Sequence, residues 1–170
     1  MSGTVAKHFE KALQSLRVLV VEDNPYMRKV IRNLLTTIGI KGVMEAADGI
    51  EGLEAIRTMS PDVVLLDWEM PLLSGAELVR IVRSPGVFPT PDMPIIMLSG
   101  YGERWRVVEA MKLGVNEYLV KPVSAQALQA RLLAILANPR RIVQRDGYYG
   151  PEPRRRLTDE MSSPGDVPVA

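Results

Sequence analysis

The chain has 170 residues, of which 46% are hydrophobic and 24% are charged, and this length and composition predict one globular domain with an extension. It contains no cysteine, which excludes disulfides and thiol chemistry. The net charge of +1 does not by itself indicate a partner. The first residues carry charges where a signal peptide needs an apolar run, and no apolar stretch approaches the ~20 residues of a membrane helix. We therefore expect a cytoplasmic protein without membrane insertion.

Short runs rich in Val, Ile and Leu alternate with longer amphipathic segments along the chain. The runs do not alternate between apolar and polar residues, which is typical of strands buried on both faces of a parallel sheet. These predicted strands are 17–21, 42–46, 62–66, 94–98 and 117–120. A longer connection, broken by prolines, spans 84–94 before the fourth strand.

The intervening segments have the spacing of amphipathic helices, with recognisable signals at their ends. Polar N-cap residues open four of them, and glycines close two; these residues are Asn24, Asp48, Ser74, Ser124, Gly39 and Gly114. Alternating strands and helices predict right-handed crossovers and an α/β, doubly wound, five-stranded parallel sheet of order 2-1-3-4-5. We expect an N-terminal extension at 1–15, with a short helix, a domain at 16–137 and a C-terminal tail at 138–170.

Polar residues follow four of the predicted strands, where ligands bind in open parallel sheets. They are Glu22 and Asp23 after the first strand, Asp67 after the third, Ser99 after the fourth and Lys121 after the fifth. Three crowded carboxylates repel one another, and Mg²⁺ with oxygen ligands relieves this repulsion. The absence of a G-x-G-x-x-G run argues against a dinucleotide.

This set of residues suits phosphoryl transfer to a carboxylate. Asp67 is the predicted nucleophile, and Mg²⁺ and Lys121 neutralise the charge on the phosphoryl oxygens. Glu22 and Asp23 are predicted to hold the metal, and Ser99 to hydrogen-bond the new phosphate.

The stretches "VVEDNP", "LLDWEMP", "MLSG" and "NEYLVKP" resemble the signatures of response-regulator receiver domains, the CheY-like fold. The resemblance covers roughly residues 16–137. It implies that Asp67 accepts a phosphoryl group from a histidine kinase, and that Asp23, Asp67 and the backbone carbonyl of Glu69 bind Mg²⁺. It also implies a cis bond between Lys121 and Pro122 and a switch role for Tyr118. Glu22 and Ser99 depart from the residues common in the family, which are Asp and Thr.

The tail begins with an arginine-rich segment, "RRIVQRDGYYGPEPRRR", at 140–156. Arginine forks onto guanine, and Asp accepts hydrogen bonds from the same base, so Arg145 and Asp146 are a candidate guanine clamp. Tyr148 and Tyr149 can stack on bases. The remaining arginines can bind phosphate; they are Arg140, Arg141, Arg154, Arg155 and Arg156. Few residues here can build a core, so we expect a tail that is largely disordered without ligand.

A compact guanine nucleotide with several phosphates, such as cyclic di-GMP, suits this chemistry. The tail resembles the arginine-rich extension of the Cle proteins, CheY-like regulators of alphaproteobacteria. That resemblance implies cyclic di-GMP binding and action at the flagellar motor switch. The main alternative is a conventional phospho-receiver with an incidental, solvated tail.

Other targets and functions are less favoured. RNA and anionic lipid are alternative targets of the tail, but the lysine-rich composition and apolar face that favour lipid are missing. DNA is the weakest option. An aspartyl-phosphate phosphatase requires motif residues that "DWEMP" lacks, so we expect no enzyme activity beyond slow self-dephosphorylation.

Overall fold

The computed structural model describes residues 3–154 and consists of a parallel sheet between two layers of helices, followed by a small hairpin. Helices and strands alternate as the sequence predicts. In chain order the elements are α1 (Gly3–Ser15), β1 (Arg17–Val21), α2 (Pro25–Ile38), β2 (Gly42–Ala46), α3 (Gly49–Met59), β3 (Val63–Asp67), α4 (Gly75–Val82), β4 (Ile95–Ser99), α5 (Arg104–Leu113), β5 (Glu117–Val120), α6 (Ala125–Ala137), β6 (Ile142–Arg145) and β7 (Tyr148–Pro151).

The five-stranded sheet has the order β2-β1-β3-β4-β5, and all its pairings are parallel. This confirms the predicted doubly wound fold. Strands β3 and β4 each lie one residue later than predicted, so Asp67 and Ser99 are the last residues of their strands. The shift leaves both side chains at the carboxyl edge of the sheet.

The sheet is buried on both faces because successive side chains of a strand point in opposite directions. In β1, Leu19 and Val21 belong to one apolar cluster, whereas Val18 and Val20 belong to the other. All four side chains are fully buried. The two cores fix the strand register, and the register fixes which residues reach the carboxyl edge.

The predicted helix ends are confirmed by their hydrogen bonds and backbone angles. The N-cap side chains accept hydrogen bonds from backbone N–H groups in the first turn, and the closing glycines have positive φ. The caps are Asn24, Asp48, Ser74 and Ser124, and the closing residues are Gly39 at φ +104° and Gly114 at φ +97°.

The first part of the tail is a folded hairpin, which corrects the expected disorder. Strands β6 and β7 pair antiparallel around the turn at Asp146 and Gly147, where Gly147 has φ +71°. An isolated two-stranded hairpin is only marginally stable in water, so contacts with the domain must stabilise it. Sequence analysis missed it because the strands have four residues each and show no clear alternation. Arg155 and Arg156 lie outside the described residues.

The hairpin packs at the amino end of the sheet, opposite the edge that carries Asp67. Its backbone approaches the end of α5 so closely that a Cβ on Gly114 would lie 2.6 Å from the carbonyl oxygen of Tyr149. The Tyr149 hydroxyl donates to Asp92, in the connection between α4 and β4. Arg140 donates to the carbonyl oxygen of Asn116, just before β5.

A buried arginine, Arg83, holds together the segments of the domain that the hairpin contacts. Arg83 closes α4 and is 6% exposed. Its guanidinium donates to the carbonyl oxygens of Gly114 at 2.8 Å and Pro91 at 2.6 Å, and to the side chain of Asn116 at 3.0 Å. Burial lowers the pKa of Arg83 to about 10, so it stays charged near neutral pH. The connection at 84–94 thus supplies one acceptor to Arg83, the carbonyl oxygen of Pro91, and one to the hairpin, the carboxylate of Asp92.

Candidate functional site: an acidic pocket at the carboxyl edge

The structure brings Glu22, Asp23 and Asp67 together at the carboxyl edge of the sheet, as the sequence predicts. One carboxylate oxygen from each lies within 4.8 Å of the others. Glu22 and Asp67 are buried, at 2% and 3% exposed. They meet because β1 and β3 are neighbours and end at the same edge.

Lys121 reaches into this pocket from the end of β5. Its ammonium donates to Asp67 at 2.9 Å and lies 3.3 Å from Glu22. Three ionised carboxylates against one ammonium leave two net negative charges, which a divalent cation balances. Carboxylate oxygens are the ligands that Mg²⁺ prefers, so the residues fit the predicted metal. Metal coordination by the backbone carbonyl of Glu69 stays a prediction.

Without a metal the pocket favours bound protons. Burial raises the pKa of Glu22 to about 7, and the neighbouring Asp67 adds to this effect through a hydrogen bond and through its charge. Burial also raises the pKa of Asp67. Burial opposes the charged form of Lys121, but Asp67 and Glu22 outweigh that effect and raise its pKa. The pocket therefore holds a cation beside acids that resist ionisation.

Ser99 lies at the end of β4, where its hydroxyl donates to the Glu69 carboxylate at 3.1 Å. It also accepts from the backbone N–H of Tyr101 at 3.2 Å. The hydroxyl that is predicted to contact the phosphate is thus held by a neighbouring acid in this structure. Arg106, from α5, holds the same carboxylate at 2.6 Å.

An aromatic layer supports this arrangement, and sequence analysis missed it. The guanidinium of Arg106 lies 4.0 Å from the ring centroid of Trp68, and Trp68 contacts Tyr118 edge to face. The Tyr118 side chain is buried and donates to the carbonyl oxygen of Tyr101. Burial raises the pKa of Tyr118, so its hydroxyl stays protonated as a donor. The adjacency of Trp68 to Asp67 was visible in the sequence, but the approach of Arg106 depends on tertiary packing.

The Lys121–Pro122 peptide bond is cis, as the resemblance implies. The chain matches the response regulator receiver domain model over residues 18–133. The chain belongs to this family. The predicted receiver identity is thereby confirmed, and the matched range does not include the hairpin at 142–151.

Curated relatives named as chemotaxis proteins are similar to the chain. It is 42% identical over 123 residues to the Chemotaxis protein CheY homolog of Campylobacter jejuni, which covers 71% of this chain and 92% of that protein. It is 39% identical over 122 residues to the Chemotaxis protein CheY1 of Helicobacter pylori, covering 71% and 97%. Among solved structures, the Francisella response regulator 1452 receiver domain matches with a TM-score of 0.66 at 32% identity, covering 72% and 98%.

Among the described residues, those predicted to bind nucleotide lie far from this pocket, on the hairpin or next to it, and most of them contact the protein itself. Arg140 is half-buried against Asn116, and Arg154 contacts the buried Glu117 at 2.6 Å. Arg145 and Asp146 lie exposed at the hairpin tip. The hydroxyls of Tyr148 and Tyr149 donate to Pro151 and Asp92, and the Tyr148 ring is partly buried.

In the described part of the chain, no helix is long and apolar enough to cross a membrane.

Proposed function

We propose that the protein is a cytoplasmic CheY-like signalling regulator with two inputs, phosphorylation at Asp67 and cyclic di-GMP binding at the hairpin. The observation that supports the first input is the contact of Lys121 with both Asp67 and Glu22. This contact leaves a nucleophilic carboxylate beside a cation that can attract phosphoryl oxygens.

In the proposed phosphorylation, a carboxylate oxygen of Asp67 forms a bond to the phosphorus of a kinase phosphohistidine as the phosphorus–nitrogen bond breaks. Glu22, Asp23 and Asp67 would hold Mg²⁺, which would supply positive charge beside the transferred group. Lys121 pairs with the same group, and Ser99 exchanges its hydrogen bond with Glu69 for one to a phosphoryl oxygen. The expected turnover is limited to slow hydrolysis of the acyl phosphate.

The change at Ser99 carries the signal outward in this proposal. Release of Glu69 from Ser99 also changes the environment of Arg106, which contacts Trp68 and, through that ring, Tyr118. The surface formed by α5, β5 and α6 then presents a different set of side chains to a partner. Because the relatives named above are chemotaxis proteins, we propose the flagellar motor switch protein as that partner.

The second input rests on the exposed tip of the hairpin. Arg145 and Asp146 are consecutive and open to solvent, so one guanine can contact the Arg fork and the Asp carboxylate together. Partial exposure of Tyr149 leaves a ring face for stacking. A cyclic guanine dinucleotide is the ligand class that combines these bases with phosphates for the neighbouring arginines.

Calorimetry with cyclic di-GMP tests this input on the intact chain. Arg145→Ala should weaken binding about 5- to 150-fold, the worth of a bidentate arginine–guanine contact. Arg57→Ala is the matched control, since the Arg57 side chain is 59% exposed and that of Arg145 is 58% exposed. Absence of heat from the intact chain at micromolar nucleotide would refute the proposal.

A conventional phospho-receiver is the second candidate, because the hairpin makes structural contacts with the domain through Arg140, Tyr149 and Arg154. If the protein is a conventional phospho-receiver, the tail serves to stabilise the amino end of the sheet. Removal of residues 138–170 would then lower the free energy of unfolding, and the intact chain would bind no nucleotide.

A further inference from the structure

A carboxylate of the tail lies between two of its arginines. The Glu152 side chain is 3.2 Å from Arg145 and 3.6 Å from Arg141. The hairpin fixes this arrangement, because the backbone N–H of Glu152 donates to the carbonyl oxygen of Arg141 at 2.7 Å. Arg141 and Arg145 are four residues apart in an extended segment, so their side chains lie on the same face.

The pair is open to solvent. The side chains of Arg141 and Arg145 are 75% and 58% exposed, and that of Glu152 is 41% exposed. Two guanidinium groups against one carboxylate leave one net positive charge. Carboxylate, phosphate and the O6 and N7 acceptors of guanine all accept the paired N–H donors of arginine, so a guanine nucleotide from outside can replace Glu152.

We propose that Glu152 is a built-in competitor of the nucleotide: without nucleotide it pairs with Arg141, the arginine that takes phosphate, and with Arg145, the arginine that takes guanine. This inference rests on the proposed function, since the phosphate belongs to the guanine dinucleotide. Binding exchanges the Glu152 carboxylate for a phosphate at Arg141 and for guanine acceptors at Arg145, and Glu152 returns to solvent.

The tail has another arginine–carboxylate contact, between Arg154 and Glu117, and its burial explains why a ligand would displace Glu152 and not Glu117. Arg154 contacts Glu117, whose side chain is only 3% exposed and which also pairs with Arg131 at 3.3 Å. Separating an ion from a buried partner is costly, whereas exposed ion pairs change an equilibrium by no more than about fivefold. Arg154 is therefore a structural contact of the hairpin, and the ligand competes at Glu152.

Calorimetry with cyclic di-GMP on Glu152→Gln tests the competition. The amide keeps the backbone hydrogen bond and the size of the side chain but removes the charge, so Kd should fall about two- to fivefold. Glu109→Gln on α5, the helix that contacts β7, removes the same charge outside the pair and should leave Kd unchanged. Carbon NMR of labelled glutamates adds a direct readout: the Glu152 carboxylate resonance should shift on saturation with cyclic di-GMP.

Each outcome separates the competition from the proposed function. Binding by the intact chain with an equal or higher Kd in Glu152→Gln would overturn the competition and leave the proposed function standing. Equal tightening by both variants would assign the gain to general charge and also overturn the competition. If neither the intact chain nor Glu152→Gln bound the nucleotide, both proposals would fall.

Discussion

Substitution of Gly114 by Ala tests whether the hairpin is docked on the domain. Gly114 ends α5 at φ +97°, and an added Cβ would lie 2.6 Å from the carbonyl oxygen of Tyr149. Gly39 ends α2 at φ +104°, but an added Cβ there has nothing within 4 Å. The two positions share the backbone strain, and only Gly114 adds a clash with the hairpin.

The shared strain should lower the free energy of unfolding by about 1–2 kcal/mol in each variant, as measured by urea denaturation. In Gly114→Ala the hairpin backbone must also move, because a carbonyl oxygen cannot approach a Cβ so closely. Displacement breaks the contact of Tyr149 with Asp92 and removes the support that a two-stranded hairpin needs.

Hydrogen exchange of the amides at 142–150 measures that displacement. Exchange should accelerate at least about tenfold in Gly114→Ala, which corresponds to ~1.4 kcal/mol of lost protection, and should remain near the wild-type rate in Gly39→Ala. Equal protection of the hairpin in both variants would refute the docked arrangement.

Two further predictions concern the acidic pocket and the buried arginine. Because the pKa of Glu22 is raised to about 7 by burial and by Asp67, Mg²⁺ must displace a proton, and its affinity should fall about tenfold between pH 8 and pH 6; a pH-independent Kd from calorimetry would contradict this. Arg83→Met leaves the buried acceptors of Arg83 unsatisfied and should lower the free energy of unfolding by about 3 kcal/mol. Arg80→Met, on the exposed face of the same helix, is the control and should change it little. Similar urea midpoints for both arginine variants would refute a structural role for Arg83.

The sheet and the pocket were predictable because both depend on local sequence signals. Apolar runs located the strands, polar caps located the helices, and the strand order then placed Asp67, Lys121 and the neighbouring acids at one edge. The strand order was the long-range property required, and the alternation of strands and helices predicted it.

The hairpin and the surface of the domain that it contacts could not be predicted in the same way. Arg83 lies at the end of an amphipathic helix, and only the tertiary structure shows that it is buried against Gly114 and Asn116. The proline-broken connection at 84–94 was visible as an unusual length, but its role depends on contacts with a segment more than 50 residues away. Glu152 carries no recognisable signal in the sequence, and only the strand pairing places it between Arg141 and Arg145.

A nucleotide-binding panel on the intact chain and on a truncation ending at Ala137 tests the central claim most directly. We predict that cyclic di-GMP binds the intact chain in preference to mononucleotides, and that the truncated domain keeps Mg²⁺ binding but loses cyclic di-GMP. Equal nucleotide binding by both proteins, or none by either, would contradict the assignment of guanine recognition to the tail.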